Sequence, residues 1–380
     1  VNAALEALDA DATSGGGVRI LHVSQPVEAG VARVVAGLVA DQRARGWDVA
    51  VACPPQGWLA DQVRATGARL VPWRATRAPG PTVPAEALAL RRVVRDTDPQ
   101  LVHLHSSKAG LAGRLALRGS RQTVFQPHSW SFEAVTGPLQ AACRMWERAA
   151  QRWTHLTVNV SEAERSSGRA AGVAGASVVV PNGVDPTRWT PGDRATARRE
   201  LSFPDPAAPT VVCVGRLARQ KGQDLMLAAW PAVRAAVPGA RLVLIGDGPD
   251  EAQLRAQADE SVTIVAGQQL ELWYAAADVV AVPSRWEAGL PLVAMEAMAS
   301  ERALVAFDVA GIGSSLDGAG AAVPAFEVPA LAAQLVIRLL DPKLAAKEGA
   351  VGRDVATTRF SAATSQAATA AQLLGLRQRT

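Results

Sequence analysis

VRILHVSQPVEAGVARVVAGLVADQRARGWDVAVAC, residues 18–53, decides the fold. It opens with a short apolar strand, turns through a loop holding Gly30, runs as an Ala/Val-rich helix from Val31 to Arg45, stops at Gly46 and re-enters an apolar strand. Strand, glycine turn, helix and strand make one βαβ unit. The pattern repeats. A helix near Pro84 to Arg95 leads into LVHLH, and further strands read at TVFQPH, HLTVNVS and Val178 to Pro181. Short apolar strands alternating with helices predict a parallel sheet covered on both faces.

After NGVD the composition changes. Residues 185–209 carry Pro186, Pro191, Pro204, Pro206 and Pro209 among charged and small residues, which predicts a connector. The alternation restarts at TVVCVG and continues through LVLIG, VTIVAG, VVAVPS and ALVAF, and Ser361 to Leu376 reads as an Ala-rich helix. The expected organisation is a tail over residues 1–17, a first Rossmann-like domain over 18–184, a connector over 185–209, a second Rossmann-like domain over 210–358, and a helix within 359–380 returning to the first domain. A length of 380 residues suits two such cores. Open α/β sheets bind ligands at the carboxyl ends of their strands, and two facing sheets would leave a deep cleft between them.

Composition narrows the class further. With 49% hydrophobic and 19% charged residues the chain is globular, not disordered. Apolar runs such as Val279 to Val282 fall far short of the ~20 residues a membrane crossing needs. The first seventeen residues lack the basic start and apolar core of a secretory signal. Cys53, Cys143 and Cys213 are odd in number and far apart, which argues against a disulfide framework or zinc site and favours a reducing cytoplasm. Residues 1–180 hold 20 Lys and Arg against 14 Asp and Glu, whereas the remainder holds 19 against 21. The basic first half suits an anionic partner. Arg144, Arg148 and Arg152, at i, i+4 and i+8 beside Met145, Trp146 and Trp153, would form one stripe of a surface helix. An ordinary solvated face or contact with the inner surface of an anionic membrane would both produce it.

Three segments carry chemistry. VVCVGRLARQKGQD sets Gly215 and Arg216 directly after a strand and Lys221 five residues on, near a helix start. Cations and helix-start amides converging on one point suit a diphosphate. LVLIGDGPDE places Gly246 and Gly248 at the next strand end, where absent side chains permit a close backbone approach, expected here to be that of a ligand. Neither segment fits the Walker or dinucleotide fingerprint, which disfavours NAD. VVAVPSRWEAGLPLVAMEAMAS is the most informative: Glu287 follows a strand, Gly289, Leu290 and Pro291 open a helix, and Glu296 lies inside its apolar pattern. A glutamate there needs a polar partner if buried, and sugar or ribose hydroxyls are natural ones.

These segments resemble the donor domain of glycosyltransferase family 4, retaining enzymes of the GT-B fold, over roughly residues 210–307. The resemblance implies that Arg216 and Lys221 hold the donor diphosphate, Glu287 the transferred sugar and Glu296 the ribose, with Leu290 and Pro291 near the phosphate. One departure stands out. Glu287 and Glu296 are separated by eight residues, because Ala288 adds a position before GLP. The first half is similar more weakly: Gly30 occupies the place of the family's glycine-rich loop, with Ala29 where a second glycine is usual. HSSKAG resembles polysaccharide-assembly members, His128 matches a histidine at the donor sugar, and PNGVD matches the end of the first domain.

The implied activity is transfer of a hexosyl group, with retention, from a nucleotide diphosphate sugar to a hydroxyl acceptor. A UDP-sugar is expected ahead of a GDP-sugar, and a lipid-linked envelope saccharide as acceptor. His105 and Lys108 are candidate acceptor contacts. No cofactor, metal or nucleic acid is expected: Asp9, Ala10 and Asp11 spell D-x-D ahead of any strand, where rigid metal ligands are not to be looked for. The rivals are a non-catalytic subunit that only binds sugar nucleotides, favoured by the extra residue between the glutamates, and another GT-B enzyme such as an epimerase or phosphorylase.

Overall fold

The computed structural model describes residues 17–378. They divide into two compact units: one runs to Pro181 and resumes at Ala363, the other is Asn182–Ala362. Asp9, Ala10 and Asp11 lie outside the described residues.

In the first unit β1 (Arg19–Ser24), β2 (Asp48–Cys53), β3 (Arg69–Pro72), β4 (Leu101–His105), β5 (Gln122–Gln126), β6 (Leu156–Asn159) and β7 (Ser177–Val179) form one parallel sheet in the order β3-β2-β1-β4-β5-β6-β7. Side chains alternate between its faces, as the two-residue period requires. Leu21 and Val23 of β1 pack into one core with Leu90 and Ala109, while Ile20 joins Val35, Val39, Leu59 and Leu373 in the other.

The second unit repeats the design with six parallel strands. β8 (Thr210–Val214), β9 (Arg241–Ile245), β10 (Val262–Val265), β11 (Val279–Val282), β12 (Ala303–Phe307) and β13 (Gly320–Val323) take the order β10-β9-β8-β11-β12-β13. Val211 and Cys213 face one core, Val212 and Val214 the other. The strand order reverses between β1 and β4 and again between β8 and β11. Such switch points are where doubly wound sheets hold ligands.

Two strands escape the sequence pattern. β3 reads RLVP, with exposed ends and a proline, and lies at a sheet edge where neither face is fully covered. β13 reads GAAV, too short and small to register as an apolar run, and Gly320 is required there: a Cβ would lie 2.0 Å from the Leu304 carbonyl oxygen.

Residues 185–209 are more than a connector. They fold with the second unit, and Asp193 caps the helix Arg194–Glu200 by accepting from the Thr196 amide at 2.7 Å. The anchor is Arg198, buried, which donates to Asp278 at 2.7 Å and to the Ala276 carbonyl at 2.9 Å. Asp278 also accepts from the Thr210 amide at the start of β8. The proline-rich composition concealed this arginine-centred packing. The helix Ala362–Arg377 joins the first unit, where Ala370 and Leu373 are buried beside Val35 and Val39 of the helix Ala29–Ala44. Among the described residues no helix is long and apolar enough to cross a membrane.

Candidate active site

In the second unit the loop after β8 is fixed by backbone contacts before any side chain acts. The Gly215 amide donates to the Ile245 carbonyl and the Leu217 amide to that of Asp247, at 2.9 and 2.8 Å. A Cβ on Gly246 would lie 2.1 Å from the Gly215 oxygen, and one on Gly248 would lie 2.2 Å from the Leu217 oxygen. The backbone that approaches these two glycines is therefore the neighbouring loop. Leu217, fully buried, pins the segment, leaving Arg216 exposed and without an ion-pair partner among the described residues.

A short 3-10 turn, Arg219–Lys221, carries the chain to Gly222, the left-handed residue (φ 69°) that precedes the helix Gln223–Ala236. Any Cβ on Gly222 would meet the Pro283 oxygen at 2.0 Å. That close approach brings Lys221 against the loop after β11. There its Nζ lies 2.5 Å from Glu287 Oε1, with side-chain exposures of 21% and 9%. Two contacts missed by the sequence reading brace the same junction: the Arg285 guanidinium grips Asp224 at 2.7 and 2.6 Å, and the Arg285 amide donates to the Gln220 carbonyl. Arg285 holds the Asp224 carboxyl below its usual range. The visible signal was a charged pair flanking the two motifs.

The chain bends over Ala288, Gly289 and Leu290, where Leu290 is buried, before the helix Leu292–Ala299. Pro291 caps that helix from outside (ψ 153°) instead of forming its first residue. From Ala294 to Ala299 every residue is buried, Glu296 included at 3% exposure. The partner that its burial demands is Tyr274, whose hydroxyl donates to Glu296 Oε2 at 3.0 Å. Tyr274 is the only tyrosine in the chain, buried on the helix Leu270–Ala276 against Trp189. A lone phenol inside LELWYAA already demanded a buried acceptor.

The first unit places its candidates at the ends of β1, β4 and β5. Ala29 adopts φ 62°, the left-handed conformation that favours glycine, and Gly30 follows it in the first turn of the helix Ala29–Ala44. Lys108 is buried in an ion pair with Glu86 at 2.7 Å and also donates to the Ala78 carbonyl. His105 is fully buried, its two ring nitrogens facing His22 at 2.9 Å and His128 at 3.3 Å. Neither Lys108 nor His105 thus offers a free polar edge to an acceptor in this structure. His128, part-exposed, and Ser129 are consecutive left-handed residues (φ 53° and 93°). Glu164 secures the turn by accepting from the amides of Ser129 and Val160, both at 2.7 Å, while Glu133 accepts from the Ser129 hydroxyl. Burial pushes the Glu164 carboxyl up to about 7.

The arginine stripe is broken. Its helix, Gly137–Ala150, ends before Arg152, which stacks on Trp153, and Arg148 donates to the Ala171 carbonyl. Beside exposed Arg144 and Arg148 the helix exposes two large apolar side chains, Leu139 at 57% and Met145 at 67%.

Two doubly wound parallel-sheet domains, the second with Lys221 and Glu287 paired in the loops past its strands, define a glycosyltransferase of the GT-B fold. Solved structures share that fold: the sucrose-phosphate synthase of Thermosynechococcus elongatus (23% identity, TM-score 0.82, covering 96% of this chain and 100% of that one) and Anabaena Alr3699/HepE in complex with UDP-glucose (20%, 0.82, 94% and 99%). Residues 29–188 match the family described as Glycosyltransferase Family 4, and residues 208–341 that described as Glycosyl transferases group 1. A "GDP-mannose-dependent alpha-(1-6)-phosphatidylinositol monomannoside mannosyltransferase" of Mycobacterium tuberculosis is 31% identical over 320 residues, 79% of this chain and 82% of that protein. A D-inositol 3-phosphate glycosyltransferase of Segniliparus rotundus is 42% identical over 146 residues, 35% and 32% of the two chains. The chain belongs to glycosyltransferase family 4, and it is a hexosyltransferase-type enzyme with a nucleotide-sugar donor. The expected preference for UDP finds no support in the Mycobacterium relative, which is named for GDP-mannose.

Proposed function

We propose that this enzyme transfers a mannosyl group, with retention, from GDP-mannose to a hydroxyl of a membrane-lipid glycoside bearing inositol and mannose. The observation that carries the reading is the 31% identity, across most of both chains, to a mannosyltransferase named for that donor and acceptor. The second unit supplies groups suited to the chemistry. Arg216 and Lys221 would neutralise the departing diphosphate, a charge that grows in the transition state and is best met by groups already in place. Glu287 would bind hydroxyls of the transferred sugar, Glu296 those of the ribose, and Leu290 and Pro291 would lie near the phosphate. His128 is assigned to the transferred sugar on the family pattern. The departing phosphate would help the acceptor hydroxyl lose its proton on the same face, with no protein nucleophile and no metal. Leu139, Met145 and Arg144 would touch the lipid surface that holds the acceptor.

The test is nucleotide release from GDP-mannose, UDP-glucose and ADP-glucose, each with phosphatidylinositol mannoside or a soluble sugar as acceptor and with or without EDTA. Release of GDP that depends on the lipid glycoside and persists in chelator is expected. Turnover with UDP-glucose alone would refute the donor, and loss in EDTA restored by manganese would refute the metal-free reading.

A further inference from the structure

Behind His128 a row of buried polar groups runs into the first unit. His22 and His103 are register partners on β1 and β4, and Ser24 pairs with His105, so the three rings project from one face of the sheet. Helix Ala29–Ala44 covers that face and contributes Gln42, fully buried. Gln42 Oε1 lies 2.7 Å from His22 Nε2, His22 Nδ1 lies 2.9 Å from His105 Nε2, and His105 Nδ1 lies 3.3 Å from His128 Nε2. His128 Nδ1 ends the row with no protein partner among the described residues.

We propose that Gln42 sets the tautomer of His128 through His22 and His105. The carbonyl oxygen of Gln42 can only accept, so His22 carries its proton on Nε2. A neutral imidazole has one N–H, which leaves His22 Nδ1 bare and makes His105 Nε2 the donor. His105 Nδ1 is then bare in turn and accepts from His128 Nε2–H. His128 therefore presents an unprotonated Nδ1, a hydrogen-bond acceptor for a hydroxyl. Turning the Gln42 amide over would reverse all three bonds and make the same atom a donor. Burial keeps the four rings neutral, lowering His22 to about 4, His128 to about 3, and His103 and His105 well below 6.5. Gln42, His22 and His105 are thus positioning residues, and their link to catalysis rests on the reading that His128 meets the transferred sugar.

His22, His103 and His105 also bring ring nitrogens within 4.8 Å of one another, a spacing that could hold a metal ion. The row favours protons instead, because every ring nitrogen of His22 and His105 already faces a complementary partner.

Histidine tautomers are read directly by long-range 1H–15N correlation on the full chain labelled with 15N-histidine. Expected for the unaltered protein is a His128 with bare Nδ1 and protonated Nε2. Gln42→Met, and separately His22→Phe, should give His128 mixed tautomers and lower kcat on the order of tenfold while the Kd for GDP stays unchanged. A His128 protonated on Nδ1 in the unaltered protein, a tautomer untouched by both variants, or one equivalent of transition metal in the purified protein would overturn the proposal. The signature without any sugar transfer would instead count against the proposed function.

Discussion

Lys221 Nζ and Glu287 Oε1 are 2.5 Å apart, so the cation assigned to the leaving diphosphate and the carboxylate assigned to the sugar neutralise each other before the donor arrives. On that assignment, a diphosphate entering there would compete for Lys221 and free Glu287 to accept from hydroxyls, so donor binding and arming of the carboxylate would be one event. Lys221→Ala and Arg216→Ala are each expected to lower turnover about 10²-fold. Their stability effects should differ. Removing Lys221 leaves Glu287 without its cation and costs about 1–3 kcal/mol, whereas removing exposed Arg216 costs under about 0.5 kcal/mol. Urea midpoints and steady-state rates check both, and a fully active double variant would eliminate the diphosphate site.

The two glutamates should separate kinetically. Glu287→Ala is expected to lower kcat strongly with nucleotide affinity near that of the unaltered enzyme, because the sugar contact matters most in the transition state. Glu296→Ala should weaken nucleotide binding and also destabilise, since the buried Tyr274 hydroxyl loses its carboxylate. Glu296→Gln keeps an acceptor for that phenol and should recover stability before it recovers affinity. Isothermal titration with GDP beside thermal melts resolves these; a Glu287→Ala enzyme with normal kcat would remove that residue from the site.

Ala29 holds a left-handed conformation. Ala29→Gly is expected to stabilise the protein by about 0.5–1 kcal/mol, relief of the Cβ clash outweighing the added chain entropy. A lower denaturant midpoint than that of the unaltered chain would contradict this.

Acid should unfold the first unit early. The buried imidazoles of His22, His103 and His105, and that of part-exposed His128, bind protons more weakly in the folded chain than in the unfolded one, so their contribution is complete above pH 6.5 and is lost as pH falls through 6.5 toward their folded values of about 4 and below. Each contributes a slope of about 1.4 kcal/mol per pH unit once the unfolded ring is charged. Glu164, raised to about 7, acts in the opposite sense: its contribution is present below pH 4.5 and lost as pH rises through 7, so it offsets one imidazole. Melting temperatures should therefore fall steeply between pH 6.5 and 5. A flat profile there would mean that the rings are not held neutral.

Exposed Leu139 and Met145 lead to an expectation at the lipid surface. The protein should float with anionic liposomes, and Leu139→Gln with Met145→Gln should reduce recovery several-fold while leaving activity on a soluble acceptor unaffected. Equal recovery of the double variant would discard this helix as the contact.

The fold was legible because period and punctuation coincide: Val211 to Val214, then a glycine, then a helix leaves little choice but β8 and its turn. Of the candidate site, the sequence pattern located Arg216, Lys221 and Glu287 just past apolar runs, and the structure brings two of them, Lys221 and Glu287, together. Partners brought in from other elements were not. Tyr274, Arg285 and Gln42 each lie in segments whose local pattern is ordinary, and only the assembled sheets show what they meet. The glycines of GDG were expected to admit a ligand, and the structure shows the backbone of the neighbouring loop close to them, since a sequence cannot tell which backbone comes close.

The return of the helix Ala362–Arg377 to the first unit, as expected from the sequence, gives that helix a long reach. Ala370 and Leu373 share a core with Val35 and Val39 of the helix that bears Gln42. Trimming the chain after residue 362, or crowding its end with a bulky fusion, would leave the second unit whole and instead loosen the histidine row more than two hundred residues upstream along the polypeptide. Damage at the last helix would therefore present as a fault in the first domain.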